Sequence, residues 1–181
     1  MYNAEKILLT SFNLWLSQQE SNSSDDLLLA LAKMASLSHD LNFLPRLPVD
    51  VQLASCRVIA KINDIQPNYI IYCAMAASRS QLSVEVLSSS TSILSLESIN
   101  SSENILRTTV DLEKLLVSTA AVEVSYDCGK CVCEGVYYSI LDYLPQFQPS
   151  IKCIFVHVPM LNEENLIGII ADLIIKHLAL F

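Results

Sequence analysis

Short apolar runs alternate with longer stretches of helical period along this chain, and that alternation limits its folds more than any other feature. Tyr69 to Ala74 (YIIYCA) is apolar at every position. A strand without a polar face needs a covering layer on both sides, the situation of a strand inside a largely parallel sheet. Lys6 to Phe12 (KILLTSF) reads as a first strand of the same kind, and Ile151 to Val158 as a late one. The pattern predicts an α/β sandwich built on a largely parallel sheet.

Between these runs, Ser23-Ser24-Asp25-Asp26 supplies N-cap and first-turn chemistry for a helix through Leu27 to Leu37. Leu41 to Leu47 reads as a short edge strand limited by Pro45 and Pro48. Asp50 is placed to cap a helix whose apolar positions Val51, Leu53, Ala54, Val58, Ile59 and Ile62 share one broad face before Pro67. Ser88 to Ser102 is rich in Ser, Thr and Asn and predicts weak edge strands and loop. Leu106 to Leu116 predicts a helix, Ala121 to Ser125 a strand, Tyr126 to Gly129 a turn, Val132 to Leu144 a helix, and Glu163 to Leu180 a last helix.

Of 181 residues, 52% are hydrophobic and 17% charged, enough apolar material for a sizeable core. The length and the lack of a Pro/Gly-rich linker predict one domain over residues 1–181. With 11 basic against 19 acidic residues the net charge is -8, which repels phosphate backbones and anionic lipid heads, so neither nucleic acid nor membrane is an expected partner. The start of the chain lacks the basic and long apolar regions of a signal peptide, and no apolar stretch reaches the about 20 residues of a spanning helix. A cytoplasmic location is the expectation. There, the six cysteines (Cys56, Cys73, Cys128, Cys131, Cys133, Cys153) are expected as reduced thiols, most of them small core residues.

In α/β sheets, reactive groups gather where strands end and helices begin. Cys133 stands at the start of a predicted helix, where the dipole favours thiolate. His157, near the end of a strand, could take the thiol proton, and Glu85, from a third loop, could fix the imidazole's orientation. Each residue also has an ordinary reading: a core thiol, a strand-end histidine with satisfied hydrogen bonds, a solvated glutamate. A third alternative is metal, since Cys128, Cys131 and Cys133 offer soft ligands with His157 as a fourth. A single knuckle is a weak zinc pattern, and no metal or other cofactor is expected.

The same segments resemble the pyroglutamyl peptidases, also called pyrrolidone-carboxylate peptidases, almost end to end. KILLTSFNLW resembles that family's Thr-Gly-Phe-x-Pro-Phe-Gly block, and LPVDV with QPNYIIYCAMAASRSQLSVE resembles the block ending in its glutamate. YDCGKCVCEGVYY resembles Thr-Ala-Gly-Thr-Phe-Val-Cys-Asn with its nucleophile, and IFVHVPML resembles Phe-Ile-His-Val-Pro with its histidine. The resemblance implies a three-layer α/β/α sandwich with a central twisted sheet. It implies a cysteine peptidase acting on N-terminal pyroglutamyl groups, with Cys133 as nucleophile, His157 as base and Glu85 as orienting carboxylate. Gly129 and Val132 keep their family identities, and Arg79 matches the arginine closing a glycine-rich loop.

The departures fall where substrate binds. Ser11 stands for a glycine, Leu14 for a proline and Trp15 for the second phenylalanine, while Phe12 remains. Met75, Ala77 and Ser78 stand for a glutamine and two glycines, Cys131 for a phenylalanine and Glu134 for an asparagine. The implied substrate-binding set is Phe12, Trp15, Met75, Arg79, Cys131 and Val132. It is expected to admit a small flat acyl group of a peptide or acyl-amide substrate but to hold pyroglutamate poorly. Glu134, as a carboxylate, is expected to oppose thiolate formation at Cys133. Two further readings stay open: the same triad acting on another small amide or acyl substrate, and a catalytically silent relative used for binding. Relatives that are often oligomeric leave room for a homo-oligomer.

Overall fold

The computed structural model describes residues 5–15, 20–33, 40–90, 104–112, 122–127 and 131–160. These form strands β1 (Lys6–Phe12), β2 (Asp40–Leu47), β3 (Tyr69–Met75), β4 (Leu82–Glu85), β5 (Leu87–Ser89), β6 (Ile105–Arg107), β7 (Val122–Ser125) and β8 (Lys152–Val158). The helices are α1 (Ser23–Lys33), α2 (Val51–Ile65) and α3 (Val132–Phe147). Six strands make one sheet in the order β2-β1-β3-β8-β4-β7, and β5 and β6 form a separate antiparallel pair. All neighbours in the large sheet are parallel except β4 and β8. The mostly parallel α/β sheet expected from the sequence is therefore present.

Strand pleat divides the core in two. Ile7, Leu9, Ile71, Cys73, Ile154 and Val156 face a cluster closed by Leu27, Leu28 and Leu31 of α1. Leu8, Ile70, Tyr72, Cys153 and Phe155 face the opposite cluster, closed by Val58 and Ile62 of α2 and by Val136, Ile140 and Leu144 of α3. Helices thus cover both faces, as doubly apolar strands require.

The predicted starts and stops hold in part. Asp50 caps α2, its Oδ1 accepting from the Leu53 N–H at 2.8 Å, and α2 closes on Gln66 in the left-handed region, just before Pro67. At α1 the cap is Asn22, whose Oδ1 accepts from the Ser24 N–H at 3.0 Å. Ser23 and Ser24 lie inside the helix, because their hydroxyls serve tertiary contacts: Ser23 donates to the Val158 carbonyl and Ser24 Oγ receives the Phe12 N–H. β2 is the edge strand expected, but it runs through Pro45. Arg46 beyond it has φ 55°, and the register with β1 slips between Thr10 and Phe12. An edge tolerates a missing N–H on its open side.

Two expectations change. Leu106 belongs to β6, paired with Ser88 of β5, and the helix expected from it begins later, at Leu112, beyond which residues 113–121 lie outside the described residues; a three-residue strand has too little periodicity to be read without its partner. Cys56 is exposed on α2, while Cys73 and Cys153 are buried in strands. Residues 91–103, 113–121, 128–130 and 161–181 lie outside the described residues, and with them most of the Ser-rich stretch, the turn at Cys128-Gly129 and the last predicted helix. Among the described residues no helix is long and apolar enough to cross a membrane.

Ile70 is fully buried in a central strand, whereas Leu53 is 60% exposed on α2. Ile70→Ala is expected to cost about 2–5 kcal/mol and Leu53→Ala about 0.5 kcal/mol or less in urea unfolding. Similar costs for the two would contradict the assignment of the core to the sheet.

Candidate active site

His157 and Glu85 come together through strand pairing, Glu85 standing in β4 and not in the loop expected from the sequence. β4 and β8 run antiparallel, with Ser83 opposite His157 and Glu85 opposite Phe155. Glu85 and His157 are therefore diagonal neighbours on one face, within reach of long side chains. Glu85 Oε1 lies 2.7 Å from His157 Nδ1, and Arg79 donates to the same oxygen at 2.9 Å. Arg79 also donates to Ser125 Oγ at 3.2 Å, tying the loop after β3 to the end of β7. Glu85 has no exposed surface. A buried carboxylate is held by such charge-assisted partners, and a proton on Nδ1 leaves Nε2 as the ring's acceptor. Phe155 supports the imidazole from below, with ring centroids 4.3 Å apart.

The start of α3 supplies the other side of the site. Cys131 is its N-cap in extended conformation and makes no side-chain capping bond; Cys133 and Glu134 follow in the first turn. The Tyr72 hydroxyl donates to the Cys133 carbonyl at 3.0 Å and the Ser88 hydroxyl to the Glu134 carbonyl at 3.1 Å, fixing this turn from β3 and β5. Tyr72, Tyr137 and Phe155 pack as an aromatic cluster beneath it. The expectation that all cysteines are reduced is not met: Cys131 and Cys133 are joined by a disulfide. The two stand two residues apart with Cα atoms 5.4 Å from each other, a separation a disulfide spans.

Glu134 is the second carboxyl group beside His157, and its position is a correction to the simplest reading of its charge. Its Oε1 lies 3.9 Å from His157 Nε2, and its Oε2 has no hydrogen-bond partner among the described residues. The helix N-terminus favours a carboxylate there, but burial opposes it, and Glu85 and Asp127 add like charge. Burial wins over the dipole and over Arg79, and the pKa is pushed up to about 8. At neutral pH Glu134 is therefore mostly a neutral acid. It does not impose on Cys133 the negative charge expected from its sequence position.

Beside Cys133 opens a cavity of about 290 Å³ lined by Phe12, Trp15, Met75, Ala77, Val132 and Cys133, with Asn13, Asn22, Val49 and Ala74 completing its wall. Of the residues proposed for substrate, Phe12, Trp15, Met75 and Val132 meet here. Arg79 is placed against Glu85, and Cys131 is bonded to Cys133. Asn13, Asn22 and Ser125 carry no motif or periodicity that would single them out in the sequence. The amide of Asn22 is already engaged, accepting from Ser24 and donating to the Asn13 carbonyl. For a cation, Glu85, Glu134 and His157 offer ligand atoms within 4.8 Å of one another. Arg79 already occupies the Glu85 oxygen nearest the ring.

No protein-family model matches the sequence. No curated protein matches it either. Solved structures do. Pyroglutamyl peptidase I from Bacillus amyloliquefaciens superposes with a TM-score of 0.78 at 18% identity, covering 98% of both chains. The pyrrolidone carboxyl peptidase from Thermococcus litoralis gives 0.68 at 18%, over 97% of this chain and 91% of that one. A mutant of the Pyrococcus furiosus enzyme gives 0.73 at 17%, over 97% and 96%. The chain has the pyroglutamyl peptidase fold. The three-layer arrangement that the sequence blocks implied is thus shared along nearly the whole length of those pyroglutamyl peptidases. Fold-level likeness at this identity leaves the chemistry to be argued from the side chains.

Glu134 yields a pH prediction. Its pKa in the folded chain, about 8, lies above its ordinary value of 4.5, so the folded state holds a proton that the unfolded state releases. The associated stability is full below 4.5 and is lost as pH rises through about 8. Glu134→Gln, which cannot ionise, should gain thermal stability relative to the parent as pH is raised across that window. A melting-temperature difference independent of pH would show that Glu134 titrates normally.

Proposed function

We propose that this protein is a cysteine peptidase that removes pyroglutamyl groups from the N-termini of peptides. The observation that carries the reading is the buried Glu85–His157 pair on β4 and β8, its free ring nitrogen turned toward the first turn of α3, next to an apolar cavity whose wall includes Cys133. The shared fold supports it. In the reduced protein, Cys133 gives its proton to His157 Nε2 and its thiolate attacks the carbonyl carbon that follows the pyroglutamyl ring. Backbone N–H groups of the first turn of α3, which a helix leaves without intrahelical acceptors, stabilise the oxyanion. The imidazolium returns its proton to the departing amine, and water, activated by His157, hydrolyses the thioester. Glu85 holds the ring orientation and Arg79 holds Glu85 in place. The same reading puts the protein in the cytosol, where a dithiol reductant keeps Cys133 available.

A second reading follows from the lining of the cavity. Met75 and Ala77 stand where the family resemblance leads one to expect a glutamine and a glycine, and the Asn22 amide is already engaged. A wall with few free hydrogen-bonding groups suits an apolar acyl ring as well as a lactam. A site that pairs with the lactam's polar atoms would reject a cyclopentanecarbonyl amide by orders of magnitude, whereas an apolar site would accept both.

Reduced protein is expected to hydrolyse a chromogenic pyroglutamyl amide, with Cys133→Ala and His157→Ala lowering kcat/KM by about 1,000-fold or more and Glu85→Gln by about 100-fold. Weak lactam recognition should appear as a high KM with kcat recovered at saturation. Equal turnover of the cyclopentanecarbonyl analogue would favour the second reading, and no turnover of either amide by folded, reduced protein would overturn the proposal.

A further inference from the structure

The disulfide at the start of α3 takes the very sulfur that the proposed reaction needs. We propose that Cys131 is a resolving thiol for Cys133, so that the pair forms a reversible redox modification site, opened by a dithiol reductant and closed by a hydroperoxide; this rests on Cys133 being the nucleophile. The geometry supports it in three ways. Cys131 and Cys133 are already bonded to each other, both only partly buried and so open to small reagents. Cys131 occupies the N-cap but makes no side-chain capping bond there, so its thiol is not engaged in the usual structural task of that position. Cys73 and Cys153 are sealed in strands, where burial pushes both thiols well above their ordinary pKa, and Cys56 lies exposed on α2. Among the described cysteines only Cys131 is bonded to Cys133.

The chemistry balances in two steps each way. The Cys133 thiolate, favoured at a helix N-terminus, attacks the outer oxygen of a hydroperoxide; the S–O bond forms, the O–O bond breaks, and an alcohol leaves after taking up a proton. The Cys131 thiol then loses its proton and attacks the sulfenic sulfur, forming S–S and releasing water. Because the attacking thiol is held two residues away, this step outruns a second oxidation to the irreversible sulfinic acid. For reopening, one thiolate of the dithiol attacks the Cys131 sulfur and expels Cys133 as thiolate. The reductant's second thiol then displaces Cys131, and the reductant departs as its own disulfide. Two electrons move in each direction. The family resemblance puts a phenylalanine at position 131, so this chain replaces an apolar side chain with the thiol that makes the cycle work.

The test uses the whole chain purified without reductant, with iodoacetamide labelling and peptide mapping as the primary readout. The expected result is a Cys131–Cys133 linked peptide that resists labelling. Dithiothreitol should raise Cys133 labelling at least 10-fold and raise pyroglutamyl-amide hydrolysis by a similar factor. One equivalent of hydrogen peroxide should close the pair again, and dithiothreitol should restore both readouts. In Cys131→Ser, Cys133 should label without reductant, and its loss of labelling after excess peroxide should not be recovered by dithiothreitol. Cys128→Ser should behave as the parent. Three results would overturn the inference: Cys133 labelling that is the same with and without reductant, a Cys133 linkage to Cys128, or a Cys131→Ser variant that recovers from peroxide as fully as the parent. If labelling follows the expected pattern but neither reduced parent nor reduced variant hydrolyses the amide, the redox pair stands and the peptidase reading fails.

Discussion

The parallel register of β3 and β8 organises both the core and the candidate site. Seven consecutive residues of each strand pair, from Tyr69 with Lys152 to Met75 with Val158. Because side chains alternate across a sheet, one register decides two things together. It sends Ile71, Cys73, Ile154 and Val156 toward α1, and it sends Tyr72, Phe155 and His157 toward the opposite face, where α3 begins. A slip of one residue would exchange those faces, turning His157 toward the apolar side packed on α1 and Val156 toward Glu85. The hydrophobic cost of such a slip is what keeps a polar group at the one position where it is useful.

Around His157 the protein distributes hydrogen-bond donors unevenly. Glu85 is buried with two donors on one oxygen, an arrangement suited to a carboxylate held away from water. Glu134 is buried against the other ring nitrogen, its Oε2 without a hydrogen-bond partner among the described residues and Arg79 only partly offsetting the burial, and it keeps its proton up to about pH 8. Two buried carboxyl groups on either side of one imidazole, each with one unpartnered oxygen among the described residues, thus differ in the donors that reach the other oxygen. The protonated one is a methylene longer than the asparagine that the family resemblance leads one to expect there, but like it carries no charge. The substitution is therefore milder than its formal charge suggests.

Much of this is legible in the order of the amino acids. The strands Lys6–Phe12, Tyr69–Met75 and Lys152–Val158 stand out because they have no polar face, and Asp50 is legible as a cap because its side chain acts on a residue three positions on. Cys133, His157 and Glu85 are read as a candidate trio from the ends of segments together with blocks resembling a known family, and of these the fold joins Glu85 to His157. Less legible are the features that depend on partners. β6 exists because Ser88 and its neighbours in β5 pair with it, and Ser23 and Ser24 leave the capping role to Asn22 because β8 and β1 offer them acceptors and donors.

The amino-acid sequence by itself determined the layer order, since apolar runs of strand length between amphipathic helices can be satisfied only by a sheet covered on both faces. It also determined which residue types were available at the helix start and strand ends. The tertiary structure alone decided their chemical state. Burial and the distances to Glu85 and Asp127 hold the proton on Glu134, the antiparallel pairing of β4 with β8 puts Glu85 on the Nδ1 side of His157, and the turn entering α3 bonds Cys133 to Cys131. Protonation depends on what lies within a few ångströms in space, which spacing along the chain does not encode, whereas the two-residue spacing of Cys131 and Cys133 brings the sulfurs within reach and the turn's conformation decides that they bond.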